Sequence, residues 1–431
     1  MINKSMYSSE DRSVSGLGGS PVGDERYLSA REAAGGLGVS LPTLYAYVSR
    51  GLVRSESGGE GNRRARRYRA EDVRRLRERA ERRRNPDRAA EGVLNWGTPV
   101  MESAITLISD GRLYYRGRDV LGLARGGGVE EVAALIWTGD PTAAPGLFPE
   151  EPSVLPARVR EARSGLDDLA PLETLSVLLP LAASGDPAAY DLRPAAVART
   201  GARILRTLVA ISAGEASGDV AGALARAWAP DEPGARALIG AALVLCADHE
   251  LNVSAFTARC VASSGATPYA AVAAALAALG GTRHGGQTEL AEALLREAGD
   301  GGDARSVLAG RLRRGESIPG FGHSLYPEGD PRGRELLRLV EEARPGSPGV
   351  VLSRAVCEAA RDLIGEEPTV DLGLAVVARV LGLPPGTPLA LFALGRTIGW
   401  IGHAIEQYED GTMIRPRARY TGEGPPREPG A

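Results

Sequence analysis

Apolar residues recur with helical spacing along nearly the whole chain after residue 92. Tyr269, Val272, Ala273, Leu276 and Leu279 mark one face at i, i+3, i+4 and i+7. Similar stripes at 130–137, 173–183, 199–212, 236–246, 288–297, 353–363, 372–381 and 388–405 each predict a helix. Abundant Ala favours close helix packing. Gly/Pro-rich breaks near 140–153, 300–303, 344–349 and 383–388 predict loops. Alternating strand patterns are scarce and no short-period repeat is present, so the body is expected to be all-α.

Ahead of this body, residues 27–88 read as a compact unit of their own. Ser29 followed by Glu32 is a capping box opening a short helix, which Gly35-Gly36-Leu37-Gly38 closes. Ser40 reads as the N-cap of a second helix. Pro42 sits in its first turn, and Leu41, Leu44, Tyr45 and Val48 have helical spacing. Gly51 stops it, and Tyr68–Asp72 leads into a third helix carrying Val73 and Leu76. Two short helices joined by a glycine turn predict a helix-turn-helix, with Arg54–Arg69 as a wing. Residues 1–26, Ser/Gly-rich and polar, and the Pro-rich 423–431 read as loose tails.

At 431 residues, two to three domains of about 150 residues are expected. An apolar share of 43% with 24% charged residues excludes gross disorder and collagen-like repeats. Three Cys without a CxxC pair exclude a disulfide scaffold and a Cys-based zinc site and fit a reducing compartment. The longest apolar runs, around Ala241–Ala247 and Ala270–Leu279, fall short of a membrane span, and Met1–Ser13 lacks the apolar core of a secretory signal. A cytoplasmic protein with no membrane partner is expected. The net charge of -3 hides an asymmetry: residues 27–90 hold 16 Arg and 8 acids, whereas residues 91–431 hold 32 Arg and 42 acids. A basic head on an acidic body implies different partners for the two parts.

The four His of the chain stand at 249, 284, 323 and 403. Three sit in distinctive surroundings: Cys246–Asn252, Gly280–Gly286 and Pro319–His323. Glycine beside His284 and His323 lets backbone or ligand approach closely. His284 precedes the 288–297 stripe, so a helix N-terminus would favour its neutral form, which can donate to a developing enolate oxygen. Metal ligation is the competing reading; separations of 35, 39 and 80 residues with no HxxxH pair argue against it. Asp371, between apolar residues, is either a helix N-cap or a carboxylate made basic by burial, able to remove a carbon-bound proton. Arg396, in an otherwise apolar helix, needs an anionic partner; with Arg332 and Arg415-Pro416-Arg417 it reads either as a structural ion pair or as part of a guanidinium site for a di- or tricarboxylate.

These stretches together resemble the citrate synthase family over roughly residues 92–422. Leu113–Val120, Glu130–Gly139, the ordered series His249, His284, His323, Asp371 and Arg396, and Arg415–Gly422 carry the resemblance. It implies a mostly α-helical fold with a large domain (89–283 and 377–422) and a small one (284–376) closing over substrate. It implies condensation of acetyl-CoA with oxaloacetate, with CoA thioester as a substrate and no bound cofactor or metal. By the same resemblance Asp371 is the base, His284 stabilises the enolate, and His323 activates the keto oxygen. His249, Arg332, Arg396 and Arg417 hold carboxylates and hydroxyl, Arg417 reaching across a homodimer or larger homo-oligomer. The chain departs from the family's usual residues at Thr369, at Leu372-Gly373-Leu374, at Gln287-Thr288-Glu289 and at Tyr326–Gly329. A 2-methylcitrate synthase using propionyl-CoA, or a transcriptional regulator with a synthase-like sensor body, are the alternatives. Residues 27–88 resemble MerR/excisionase winged helix-turn-helix domains, which implies duplex DNA contacts by Thr43, Tyr45 and Arg50 from helix 41–50 and by Arg63 and Arg64 from the wing.

Overall fold

The computed structural model describes residues 27–50, 52–57, 66–73, 101–149, 155–214, 217–301 and 303–424. They fall into two compact units, Met1–Glu102 and Ser103–Ala431.

In the first unit, Ala30–Leu37 and Leu41–Ser49 are the two helices. The capping box forms as the spacing requires: Ser29 N donates to Glu32 Oε2 at 2.8 Å and Glu32 N donates to Ser29 Oγ at 3.3 Å. Gly38, at φ 64, ends the first helix in the left-handed region that glycine occupies without strain. Ser40 is the second N-cap, but its hydroxyl pairs with Thr43 Oγ1 instead of capping a backbone N–H. Arg66–Arg69 lies between Tyr27–Leu28 and Ser55–Ser57 in an antiparallel sheet, the base of the expected wing. Ala33, Ala34, Leu44, Val53, Tyr68 and Val73 form the core. Asp72 holds Arg54 through its backbone N, Nε and Nη2, each at 2.9 Å. Gly51, Leu76, the wing tip with Arg63 and Arg64, and residues 1–26 and 425–431 lie outside the described residues.

The described residues of the second unit are mostly helical, with one small sheet and an isolated bridge. Helices Val129–Thr138, Pro171–Ala183, Pro194–Ala213, Ala235–Cys246, Pro268–Leu279, Gly286–Gly301, Pro348–Ile364 and Val370–Leu381 cover the predicted stripes. Thr387–Asp410 is buried on nearly every side, as a helix apolar all round must be. It packs against Pro194–Ala213, Ala235–Cys246, Val253–Ala262 and Pro268–Leu279. Its glycines permit that closeness: a Cβ on Gly399 would lie 2.4 Å from both Ala247 O and Asp248 Oδ1. A second group packs Val370–Leu381 against Pro331–Ala343 and Gly286–Gly301. Among the described residues, no helix is long and apolar enough to cross a membrane.

The sheet is a departure from the all-helical expectation for the body. Thr106–Ser109, Arg112–Tyr115 and Arg118–Asp119 form an antiparallel meander. Asp110-Gly111 makes the first turn with φ 53 and 70, the two positive values of a type I′ hairpin. Apolar side chains on its strands bury against the helices, with Leu113 and Tyr115 fully covered.

Candidate active site

The turn that follows Ala235–Cys246 presents His249. Three elements fix it. Arg396 Nε donates to Cys246 O at 2.8 Å, and Gly399 N donates to Ala247 O at 2.9 Å. The Tyr115 hydroxyl accepts from Asp248 N at 3.1 Å and faces the carbonyls of Val244 and Asp248. The Asp248 carboxylate, fully buried, takes the Thr106 hydroxyl at 2.5 Å and faces His403 Nε2 at 3.2 Å. Burial works to raise the Asp248 carboxyl, but His403 and Arg396 outweigh it and hold it low. Glu250, next to His249, sits at φ 52, a conformation a non-glycine residue keeps only where its surroundings impose it. The small sheet is thus part of the site's support.

A second loop brings in His323. Gly322 N donates to Glu367 O at 3.0 Å and Thr369 N donates to Gly320 O at 2.9 Å, a short antiparallel bridge between 320–322 and 367–369. Gly320, at φ 83, presses against Leu372 and Ala291. This bridge sets His323 beside the start of Val370–Leu381, where Asp371 lies in the first helical turn. Thr369, not Asp371, is the N-cap there. Asp330 fastens the same corner: it accepts from Val370 N at 3.0 Å and grips Arg332 through Nε at 3.0 Å and Nη2 at 2.8 Å.

The two loops meet. His249 and His323 lie with ring centroids 5.4 Å apart, and Tyr326 lies against both, at 5.6 and 5.0 Å. Tyr326 Oη is 2.8 Å from His249 Nε2, and the Arg332 guanidinium lies 5.9 Å from the Tyr326 ring centroid. Phe392 joins the remaining pair, 6.0 Å from His284 and 4.9 Å from the Arg396 guanidinium. The charges of Arg332 and Arg396 and the imidazoles of His323 and His284 all act on His249, and Arg332 acts on Asp371. Six of the seven predicted body residues therefore share one region. The seventh, Arg417, lies exposed in the irregular segment after Thr387–Asp410, and among the described residues it makes no hydrogen bond or ion pair with them.

Protonation follows from the surroundings. Burial, then the charge of Arg396, lowers His284 to about 4. Burial and Arg332 also lower His323, and burial with Arg332 and Arg396 puts His249 well below its ordinary value. All three are neutral at neutral pH. A hydrogen bond fixes the tautomer of His323. His323 Nδ1 accepts from Leu325 N at 3.2 Å, so its proton is on Nε2. His284 Nε2 faces Ser254 Oγ at 2.8 Å. That oxygen accepts from Trp400 Nε1 at 3.1 Å and also lies 2.8 Å from Asn252 Oδ1, to which it donates. A hydroxyl has one proton, so His284 Nε2 and Asn252 Oδ1 compete for it; turned to His284, it leaves the imidazole proton on Nδ1. Burial raises the carboxyl of Asp371, with Thr288, Arg332 and Thr369 opposing. Arg396 is 1% exposed, and among the described residues its hydrogen bond to Cys246 O uses Nε and neither terminal nitrogen. Asp330 engages Arg332, so it keeps less of its fork.

Sequence reasoning passed over Ser254, Asp330, Asp248 and Thr106. Each acts as a hydrogen-bond partner of a residue distant in the chain, which no local spacing reveals. Tyr326 carried one signal, an aromatic three positions after His323 in a glycine-rich loop. In the first unit, Tyr45 is 52% exposed and Arg50 is exposed, while the Thr43 hydroxyl is engaged with Ser40.

Residues 92–417 match the family model "Citrate synthase, C-terminal domain", and residues 28–79 match "MerR HTH family regulatory protein". The chain belongs to the citrate synthase family and carries a MerR-type helix-turn-helix at its head. A "Putative citrate synthase 2" of Mycobacterium tuberculosis is 41% identical over 194 residues, 43% of this chain and 52% of that protein. A 2-methylcitrate synthase of Shewanella oneidensis is 36% identical over 189 residues, 42% of this chain and 50% of that protein. The chain spans about half the length of these curated relatives. The crystal structure of citrate synthase from Thermotoga maritima superimposes with a TM-score of 0.64 at 27% identity, covering 77% of this chain and 96% of that one. The Thermoplasma acidophilum citrate synthase, solved with carboxymethyl coenzyme A and oxaloacetate, shares the fold, with a TM-score of 0.67 at 23% identity, covering 77% and 96%.

Proposed function

We propose that this chain condenses acetyl-CoA with oxaloacetate and hydrolyses the resulting thioester, giving citrate and CoA. Asp371 takes a proton from the acyl methyl group. The His284 Nδ1–H stabilises the enolate oxygen that forms. The enolate carbon attacks the keto carbon of oxaloacetate while the Nε2–H of His323 donates to the keto oxygen, and water then cleaves the thioester. Arg396, Arg332 and His249 hold the carboxylates, with Arg417 supplied by a second copy in a homodimer. CoA is a substrate, and the steps run on the chain's own side chains. Residues 284–376 form the smaller lobe and close over the substrates, which keeps water out until condensation is complete.

One observation carries this reading: a basic half-buried carboxylate, two neutral imidazoles, one with a free Nε2–H, and a buried guanidinium converge in one region. Sensing a carboxylate alone would call for the guanidinium and not the rest. A thiol-release assay with oxaloacetate compares acetyl-CoA with propionyl-CoA, and mass spectrometry identifies the product. A kcat/KM for acetyl-CoA at least about tenfold higher is expected, since one methylene is worth roughly 10- to 200-fold. A reversed preference makes the chain a 2-methylcitrate synthase, and no release with either makes the body a sensor.

The head supports a second activity, duplex DNA binding. Tyr45 is exposed on the helix that would enter the major groove, Arg50 is exposed at its C-cap, and the region is strongly basic. A gel shift at low ionic strength should retain duplex DNA and weaken steeply with salt; no retention of any genomic fragment contradicts this.

A further inference from the structure

Both oxygens of Asp371 are held by hydroxyls, from two separate places in the chain. Thr288 Oγ1 donates to Oδ1 at 2.5 Å, and Thr369 Oγ1 donates to Oδ2 at 3.2 Å. Each threonine forgoes the bond its position offers. Thr369 is the N-cap of Val370–Leu381, yet its hydroxyl makes no capping bond; an N-cap hydroxyl ordinarily accepts from a backbone N–H two or three residues on. Thr288, in the first turn of Gly286–Gly301, is fully buried. Helical threonines commonly bond back to the carbonyl four residues earlier. Thr138, Thr257 and Thr397 do so in this chain. Thr288 instead reaches across to the other helix. It stands four residues after His284, so its bond ties the turn that carries the enolate donor to the helix that carries the base.

We propose that Thr288 and Thr369 are positioning residues, a two-hydroxyl clamp that fixes the plane of the Asp371 carboxylate and thereby which lone pair meets the acyl carbon. The proposal rests on the reading of Asp371 as the base. A carboxylate on one single-bonded carbon otherwise turns about that bond. A short O–H···O⁻ bond to one oxygen and a longer one to the other restrain the rotation, and they also favour the charged form. Burial pulls the other way. Around the carboxylate, Pro331–Ala343 and its cap bring Arg332 and Asp330, and Ala235–Cys246 brings Cys246. On the far side of the helix, Pro348–Ile364 sets Cys357 beside Val376. Removing a hydroxyl therefore leaves burial less opposed, and the proton binds more tightly.

The test uses the full chain with 13C-carboxyl-labelled Asp, the Asp371 signal being assigned by its loss in Asp371→Asn. In Thr288→Val the titration midpoint of Asp371 should rise by about one pH unit. The kcat should fall about tenfold or more, KM for oxaloacetate should stay within about twofold, and the acid limb of kcat/KM should move up with the midpoint. Thr288→Ser should keep the wild-type midpoint and rate. An unchanged midpoint in Thr288→Val overturns the clamp. Thr369→Val, expected to raise the midpoint by a smaller step, decides the matter if Thr288→Val does not fold. A wild-type chain that releases no thiol counts against the base reading alone, since the midpoints still judge the clamp.

Discussion

His284 donates to an enolate oxygen from Nδ1 only if it is neutral and its Nε2 accepts a hydrogen bond. Burial near Arg396 keeps it neutral down to about 4. The Ser254 hydroxyl stands 2.8 Å from both His284 Nε2 and Asn252 Oδ1, and supplies that bond when its proton turns to His284. Ser254→Ala removes the hydroxyl that faces His284 Nε2. The expected outcome is a fall in kcat of about ten- to a hundredfold with KM for oxaloacetate nearly unchanged, measured by steady-state thiol release; these are fractions of the effect of losing an oxyanion donor outright. The candidate residues stood out in the sequence, because His, Asp and Arg in glycine-rich or apolar settings are unusual in themselves. Their partners were not. Ser254, Asp330 and Thr288 are common residues whose significance comes only from what the fold puts opposite them.

At the scale of elements, apolar periodicity marked the long helices, because a buried stripe repeats every turn whatever its partner. The 106–119 meander escaped notice. Its strands are two to four residues long, too short for alternation to register, and only Asp110-Gly111 signalled the turn. Yet Thr106 and Tyr115 from this sheet hold Asp248 and the turn that presents His249. The Thr387–Asp410 helix holds the same turn from the other side through Arg396 and Gly399. A methyl group on Gly399 would meet Ala247 O and Asp248 Oδ1, both at 2.4 Å and neither able to move freely. Gly399→Ala should therefore destabilise the chain by about 1–3 kcal/mol in a denaturant titration, the usual range for overpacking. It should also raise KM for oxaloacetate, because the displaced turn carries His249. A variant as stable as wild type would show that this contact is not tight.

For the whole molecule, three neutral histidines make stability depend on pH in a stated direction. In the unfolded chain a histidine takes a proton below about 6.5. In the folded chain His249, His284 and His323 all bind it later, His284 only near 4. Between these values the unfolded chain holds more protons, so stability is present above about 6.5 and is lost as pH falls toward 4. Each such histidine contributes a slope of up to about 1.4 kcal/mol per pH unit. The melting temperature should fall between pH 6.5 and 5, and His284→Gln should flatten that fall. An equal slope in the variant would place the protonation elsewhere. The division of the chain into a basic head and an acidic body was visible in its charges, but the arrangement of the site was not, since it depends on loops that meet only in the folded body.

The central claim is that one cleft of this chain makes a carbon–carbon bond with Asp371 as base. The most direct measurement is thiol release from acetyl-CoA, with and without oxaloacetate, by the wild-type chain and by Asp371→Asn, both shown to be folded by circular dichroism. The account predicts oxaloacetate-dependent release by the wild type and a loss of at least about a thousandfold in the variant, within the range for removing a general base. Release by Asp371→Asn at near the wild-type rate would contradict it.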